Sequence, residues 1–153
     1  METKYKFFWN GIFSNWHPSV FTVDGIKFNC GEQFMMYKKA ILFNDFLAAS
    51  KILEELSPRN QKKLGRVVKN FNKTTWDDMC YDIVKDGLRE KFNQNPDLKE
   101  YLLSYKGYTI VEASPEDNIW GIGFGEWEAL ENIDHWGKNY LGKICTELAN
   151  ELK

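Results

Sequence analysis

Two short segments of the chain set polar side chains among apolar or glycine neighbours, as ligand pockets do. Residues 117–123 read Asp-Asn-Ile-Trp-Gly-Ile-Gly, so they offer a carboxylate, an amide and an indole on backbone that can approach a ligand closely. Residues 31–36 read Gly-Glu-Gln-Phe-Met-Met and again place an acid and an amide beside apolar side chains. We expect the two segments to form one composite site.

Helical periodicity places an acid and an amine on one face of a predicted helix. Four residues at i, i+4, i+7 and i+11 share one stripe of this helix: Glu32, Met36, Lys39 and Phe43. In a half-buried cleft, the Glu32 carboxylate would activate water or stabilise a developing cation, and the Lys39 amine would attack a carbonyl-like carbon. A structural interpretation stays open, because first-turn acids favour the helix dipole and lysine stems cover apolar surface.

Asp117 and Trp120 also admit two interpretations. In the functional one, the carboxylate hydrogen-bonds a hydroxyl or a base edge while the indole stacks on the ligand. In the structural one, residues 114–118, Ser-Pro-Glu-Asp-Asn, form a turn and the tryptophan belongs to the core. The glycines that follow fit neither the Walker spacing nor the dinucleotide fingerprint, so they indicate close backbone approach rather than a phosphate loop.

A basic stretch lies between Ser57 and Trp76, with six Lys or Arg residues and no acid. An anionic ligand is one inference, and Arg66 is the best candidate because it follows an apolar position at Leu64. A solvated helix face explains the same charges. Only one of the six residues need contact a ligand.

Composition narrows the class of protein. The 153 residues fit one domain, and we expect it to span residues 1–153. A net charge of −2 argues against a protein that coats nucleic acid through its overall field. Three distant cysteines and two histidines predict no disulfide framework, no metal site and no cofactor. Without a signal-like or membrane-spanning apolar run, the sequence predicts a cytoplasmic protein with no membrane partner.

The elements that must position these residues are predicted to be mostly helical. Residues 4–30 look extended, and Asp24-Gly25 between β-favouring runs predicts a hairpin. Asn44 is expected to cap a second helix, and Ser57-Pro58 to open a third. The third helix is expected to turn four apolar residues inward: Leu64, Val67, Val68 and Phe71.

The second half of the chain is predicted to mix helix and strand. Thr75 with Asp78 resembles a capping box that opens a long helix, and residues 108–113 read as a strand leading to the Asp117 segment. Residues 121–137 are expected to be irregular. A final amphipathic helix is marked by Leu141, Ile144, Leu148 and Leu152. The predicted fold is a helix-dominated α+β domain with a small β-sheet or hairpin.

Taken in order, these segments resemble the NADAR family, also called YbiA-like proteins, over nearly the whole chain. The resembling stretches are residues 8–19, 24–25, 31–36, 39–40, 64–66, 91–95, 111–114, 117–123 and 136–142. The chain departs from the commoner pattern at Trp16-His17, where Phe-Tyr is frequent, and at Gly31, where Ala or Ser often precedes the acid. These departures leave the choice of substrate open.

The resemblance implies a helix-dominated fold and N-glycosidase activity, the cleavage of a bond between a ribose anomeric carbon and nitrogen. It implies two substrate groups: phosphoribosylamino-pyrimidine intermediates of riboflavin synthesis, and ADP-ribose attached to guanine, in a small molecule or in nucleic acid. By the same resemblance, the expected catalytic residues are Glu32, Lys39, Asp117 and Trp120. The expected substrate-binding residues are Asn15, Trp16, Arg66, Gly121 and Asn139.

Roles for these residues follow from their chemistry. Glu32 would stabilise the cationic sugar, and a deprotonated Lys39 would capture the anomeric carbon as a Schiff base. Trp120 would stack on the base or ribose, Asp117 would bind a hydroxyl or base edge, and Arg66 would pair with phosphate. Two alternatives remain: a non-catalytic reader of ADP-ribose or nucleotides, and an interaction module that uses Trp127 and Trp136. The sequence leaves the leaving group and the oligomeric state open.

Overall fold

The computed structural model describes residues 2–153, whose contacts group the chain into two compact units. The sheet unit contains the chain up to Ser14 together with Pro96–Lys153, and the helical unit contains Asn15–Asn95. Across residues 2–153, no helix combines the length and the apolar character needed to cross a bilayer. The described elements confirm a helix-dominated α+β fold with little β structure.

The bounds of the elements are as follows. The strands are β1 (Tyr5–Phe8), β2 (Phe21–Val23), β3 (Ile26–Phe28) and β4 (Thr109–Glu112). The helices of the helical unit are α1 (Gly31–Leu42), α2 (Phe46–Glu54), α3 (Pro58–Arg66) and α4 (Lys73–Asn93). The helices of the sheet unit are α5 (Pro96–Leu103), α6 (Glu126–Ala129) and α7 (Tyr140–Glu151), with a 3-10 helix at Leu130–His135.

The predicted hairpin is confirmed in the helical unit. Strands β2 and β3 pair antiparallel with Val23 opposite Ile26, so Asp24 and Gly25 form a two-residue turn. Both turn residues have positive φ, 51° and 80°, which is the geometry that favours this dipeptide. The outer edge of β2 is closed by Gln94, whose amide accepts from Thr22 N–H and donates to Thr22 O, each at 2.8 Å.

The predicted cap of α2 is wrong by one residue. Asn44 adopts a left-handed φ of 59° as the chain leaves α1, and the neighbouring Asp45 is the N-cap. The Asp45 carboxylate accepts from Ala48 N–H at 3.1 Å and from Lys69 N–H at 2.8 Å. Asparagine tolerates the left-handed conformation, so a helix exit and a helix cap compete for the same residue type.

The predicted start of α4 is also wrong, whereas that of α3 is confirmed. Asn72 caps α4 by accepting from Thr75 N–H at 3.0 Å, so Thr75 lies inside the first turn. Ser57 caps α3 with Pro58 in the first turn, as expected.

The C-terminal end of α3 corrects another expectation. The helix ends at Arg66, so the helical spacing used for Val67, Val68 and Phe71 does not apply. Only Val68 is buried, while Val67 and Phe71 are exposed. The chain turns at Asn70, which has a left-handed φ of 61°.

An aromatic cluster forms the core beneath the hairpin of the helical unit. Phe21, Phe28 and Phe34 are buried against one another, with ring centroids 5.1 to 5.9 Å apart. Gly87 of α4 has no room for a side chain because the Phe34 ring lies against its Cα. The cluster therefore fixes α1, which carries Phe34, against both the hairpin and α4.

The sheet unit is organised around a pairing that the sequence does not predict. Strands β1 and β4 pair in parallel, from Tyr5 opposite Thr109 to Phe8 opposite Glu112. Helix α7 packs on β4, and the core cluster below comprises Val111, Ile122 and Ala129. The prediction of irregular structure over residues 121–137 is wrong at residues 126–135, where α6 and the 3-10 helix form.

Candidate active site

Glu32 is the second residue of α1 and is buried, with 5% of its surface exposed. Its backbone N–H donates to Asn15 O at 2.9 Å. Its Oε1 accepts a hydrogen bond from the indole Nε1–H of Trp16 at 2.8 Å. The consecutive residues Asn15 and Trp16 thus hold Glu32 by its backbone and by its carboxylate. The N-terminus of α1 also favours a negative charge at this position because of the helix dipole.

Gly31 explains how Asn15 reaches the start of α1. A Cβ at Gly31 would lie 2.5 Å from Asn15 Oδ1 and 3.2 Å from Leu88 Cδ2, so the position has no room for a side chain. Asn15 is itself buried. The departure from Ala or Ser at this position therefore makes space for the Asn15 side chain.

A buried amide network fixes the start of α1. Gln33 Nε2 donates to Ile52 O at 3.0 Å, and Gln33 Oε1 accepts from Asn29 N–H at 2.7 Å. Gln61 joins the same network, because its Oε1 accepts from the Cys30 thiol at 3.2 Å and its Nε2 donates to Asn29 Oδ1 at 3.1 Å. The amide of the Glu-Gln pair is therefore structural, and the acid is the group left to act on a ligand.

Lys39 lies in a partly buried aromatic environment. Its Nζ is 4.6 Å from the ring centroid of Phe71 and 5.9 Å from that of Trp76, within the range of cation–π attraction. Burial lowers the pKa of the ammonium, the Glu32 carboxylate opposes that change, and the positive charge of Arg66 adds to it. A lowered pKa raises the fraction of neutral amine, which is the nucleophilic form.

Arg66 is the last residue of α3 and is exposed. The helix approaches α1 closely at the preceding residue, because a Cβ on Gly65 would collide with the Met36 side chain. The charge of Arg66 consequently acts on Lys39. The helical unit thus brings together five of the nine predicted site residues: Asn15, Trp16, Glu32, Lys39 and Arg66.

The other four predicted residues lie in the sheet unit, where Asp117 builds a turn. Its Oδ1 accepts from the N–H groups of Ile119 and Trp120, each at 2.9 Å. Gly123 N–H closes the loop by donating to Asp117 O at 3.0 Å. This is the Asx-type turn chemistry of the structural interpretation, and it fixes the position of Trp120.

Trp120 is half-buried and packs edge-to-face on Tyr140, with 5.6 Å between the ring centroids. Its carbonyl accepts from Leu141 N–H at 3.0 Å, which ties the loop to the start of α7. The ring is therefore held rigidly while part of its surface stays accessible, which suits stacking.

Asn139 and Gly121 shape the same loop. Asn139 has a left-handed φ of 53°, and its buried side chain accepts from Glu112 N–H at 2.9 Å and donates to Ile110 O at 3.1 Å. Gly121 O accepts from Asn139 N–H at 3.0 Å, and a Cβ at Gly121 would lie 2.6 Å from Glu112 Oε2. The oxygen and the nitrogen of the Asn139 side-chain amide both hydrogen-bond to the β4 backbone, which favours a positioning role over substrate contact.

Several neighbours of the predicted residues were not expected at a site. Phe71 and Trp76 surround the Lys39 amine, Tyr140 supports Trp120, and Glu112 places a carboxylate against Gly121. An acid at the end of a predicted strand is a signal that points to Glu112. Within residues 2–153, no group of three His, Cys, Asp or Glu side chains is arranged to hold a metal ion.

Comparison with known proteins adds independent findings. A family model described as the NADAR domain matches residues 6–153. An N-glycosidase of Acanthamoeba polyphaga mimivirus is 44% identical over 167 residues, covering 99% of this chain and 98% of that protein. A riboflavin biosynthesis protein of Vibrio vulnificus is 27% identical over 144 residues, covering 94% of this chain and 36% of that protein. The NMR structure of the E. coli protein YbiA matches with a TM-score of 0.81 and 26% identity, covering 99% of this chain and 86% of that chain.

Proposed function

This chain belongs to the NADAR family, and we propose that it is an N-glycosidase that hydrolyses a ribosyl C–N bond with Glu32 and Lys39 as its bond-breaking groups. The observation that carries the assignment is the geometry of α1. A carboxylate held by Trp16 and an amine with a lowered pKa lie on one helix. The carboxylate suits stabilisation of the sugar cation, and the amine suits nucleophilic attack on the anomeric carbon.

Glu32 stabilises the transition state in this proposal. As the C–N bond breaks, positive charge develops at the anomeric carbon, and a fixed carboxylate stabilises that charge more than it stabilises the neutral substrate. Because Glu32 is 5% exposed, water screens this interaction little. The carboxylate also orients the water that completes hydrolysis.

Lys39 supplies a nucleophile. In a glycosylamine the ribose ring opens to an imine, and a neutral amine adds to its C1 carbon. Loss of the base amine leaves an imine between Lys39 and the sugar. Water hydrolyses this imine, which releases the sugar and regenerates the Lys39 amine. Partial burial favours the neutral amine that this step requires and outweighs the cation–π attraction of Phe71, which favours the ammonium.

The substrate in this proposal is a small ribosyl compound bearing phosphate. The Vibrio vulnificus relative is named for riboflavin biosynthesis, which favours a phosphoribosylamino-pyrimidine over ADP-ribosylated guanine. Exposed Arg66 is the proposed phosphate partner, since a guanidinium binds phosphate through two parallel hydrogen bonds. Trp120 remains the predicted stacking residue and Asp117 a predicted contact to hydroxyl or base.

The test is an end-point assay with two substrate arms. Purified protein is incubated with a ribosylamino-pyrimidine phosphate or with ADP-ribosylated guanosine and DNA, and released base and sugar are separated by chromatography. We expect release from the pyrimidine phosphate, and loss of release in Glu32→Gln with its melting temperature retained. Ligand binding without release in the wild-type protein would contradict hydrolysis and support a reader of nucleotides instead.

A further inference from the structure

The Glu32 carboxylate receives a specific donor from outside its own helix. The Trp16 indole N–H lies 2.8 Å from Glu32 Oε1, while 43% of the Trp16 surface is exposed. A hydrogen bond to an ionised carboxylate is stronger than one between neutral groups and fixes the orientation of the oxygen that accepts it. An indole carries a single N–H donor, so the contact has one geometry.

The neighbouring residue holds Trp16 in place. Asn15 O accepts from Glu32 N–H at 2.9 Å, and the buried Asn15 side chain lies against Gly31. We call this pair of residues the Asn15–Trp16 clamp. It contacts Glu32 at the backbone and at the carboxylate, so two adjacent residues fix both ends of the acid.

We infer that Trp16 is a positioning residue that holds the Glu32 carboxylate in one orientation for the reaction. The consequence for catalysis rests on the proposed function, whereas the orientation itself does not. Preorganised charge stabilises a transition state because no reorientation is needed as the sugar becomes cationic. Trp16 therefore acts on the transition state through Glu32.

This role differs from the predicted role of Trp16 as a substrate contact. A ring that stacks on substrate contributes through its face, so its removal raises KM. A donor that orients Glu32 contributes through its N–H, so its removal lowers kcat and leaves KM unchanged. Replacing the N–H alone separates the two roles.

The kinetic test replaces Trp16 by benzothienylalanine, which keeps the bicyclic shape but carries sulfur in place of N–H, and in parallel by Phe. We expect about a tenfold loss of kcat in both variants with unchanged melting temperature, and unchanged KM in the first. Trp127→Phe is the matched control, because Trp127 is 90% exposed. A benzothienylalanine variant with wild-type kcat would overturn the inference.

A spectroscopic arm tests the clamp without any substrate. The six tryptophans give indole N–H resonances in a 15N correlation spectrum, and the peak missing from Trp16→Phe identifies Trp16. Glu32→Gln should move that peak upfield and leave the Trp127 peak in place. If wild-type protein releases no base, the proposed function fails, and this resonance alone decides: a Glu32-dependent shift supports the clamp, and an unmoved peak overturns it.

Discussion

The α1 face and the Asp117 loop contain the same kinds of side chain, but the two regions use them differently. At α1, the Glu32 carboxylate accepts a hydrogen bond from Trp16, which lies outside the helix, and burial lowers the pKa of Lys39. In the loop, Asp117 Oδ1 accepts hydrogen bonds from two backbone N–H groups. The oxygen and the nitrogen of the Asn139 amide both hydrogen-bond to the β4 backbone. In our proposal α1 carries the reacting groups, whereas the loop uses its polar groups to shape the backbone around Trp120.

The difference shows what a polar cluster in a sequence can and cannot reveal. Residue type and spacing located both regions, because glutamate, lysine, aspartate and asparagine are unusual beside apolar or glycine neighbours. Their hydrogen-bond partners decide the role, and those partners lie up to 29 positions away, as between Asn139 and Ile110. A buried amide that bonds only to backbone contributes to stability and local shape.

The largest expected effect is on the reaction itself, in Lys39→Met. Methionine keeps the apolar stem against Phe71 but removes the amine, so we expect kcat to fall at least about a hundredfold while the fold is retained. Lys38→Met is the matched control, because Lys38 is the neighbouring lysine and lies near the Phe34 ring instead. Steady-state kinetics on both variants makes the comparison, and equal losses would contradict a specific role for Lys39.

The next effect is on stability, in Asn139→Ala. This variant leaves Glu112 N–H and Ile110 O without their partner and places alanine at a left-handed φ, so we expect the free energy of unfolding to fall by about 4 kcal/mol. Urea unfolding measures the change. Asn139→Gly, which also removes the amide but tolerates the left-handed φ, should lose about 1 kcal/mol less. Unchanged stability with lost activity would return Asn139 to the substrate-binding role.

A smaller effect concerns the buried start of α1, where burial raises the pKa of the Cys30 thiol to about 11 from 9.0. Folding therefore favours the neutral thiol, while the unfolded chain loses its proton above pH 9. Stability should fall by about 2 kcal/mol as pH rises from 9 to 11. Cys30→Ser keeps a hydrogen-bond donor for Gln61 and should lose less over that range. The same loss of unfolding free energy between pH 9 and pH 11 in the wild-type protein and in Cys30→Ser would contradict a role for the Cys30 thiol.

Local patterns in the sequence predict much of the fold. The Asp24-Gly25 hairpin, the helix that places Glu32 and Lys39 on one face, and the Ser57 cap of α3 each depend on chemistry within a few residues. The starts of α2 and α4 were misplaced because Asn and Thr suit several positions near a helix end. The parallel pairing of β1 with β4 depends on strands about a hundred residues apart, which no local pattern encodes.

The candidate site divides in the same way. Helical spacing predicted that Glu32 and Lys39 share a face, and the lowered pKa of Lys39 agrees with a partly buried amine. The aromatic environment of Lys39 was not predictable, since Phe71 lies in a connection after α3 where helical periodicity gives no direction. The contact from Trp16 to Glu32 joins a loop to a helix and has no signature in spacing.

The most direct test compares the acid of each region in one assay, by measuring kcat for Glu32→Gln and Asp117→Asn with the same ribosylamino-pyrimidine phosphate. Glu32→Gln removes the charge that stabilises the sugar cation, so a loss of at least about a hundredfold is predicted. Asp117→Asn retains an oxygen that accepts from Ile119 and Trp120, so a loss of at most about tenfold is predicted. A larger loss in Asp117→Asn than in Glu32→Gln, with both proteins folded, would contradict the assignment of the chemistry to α1.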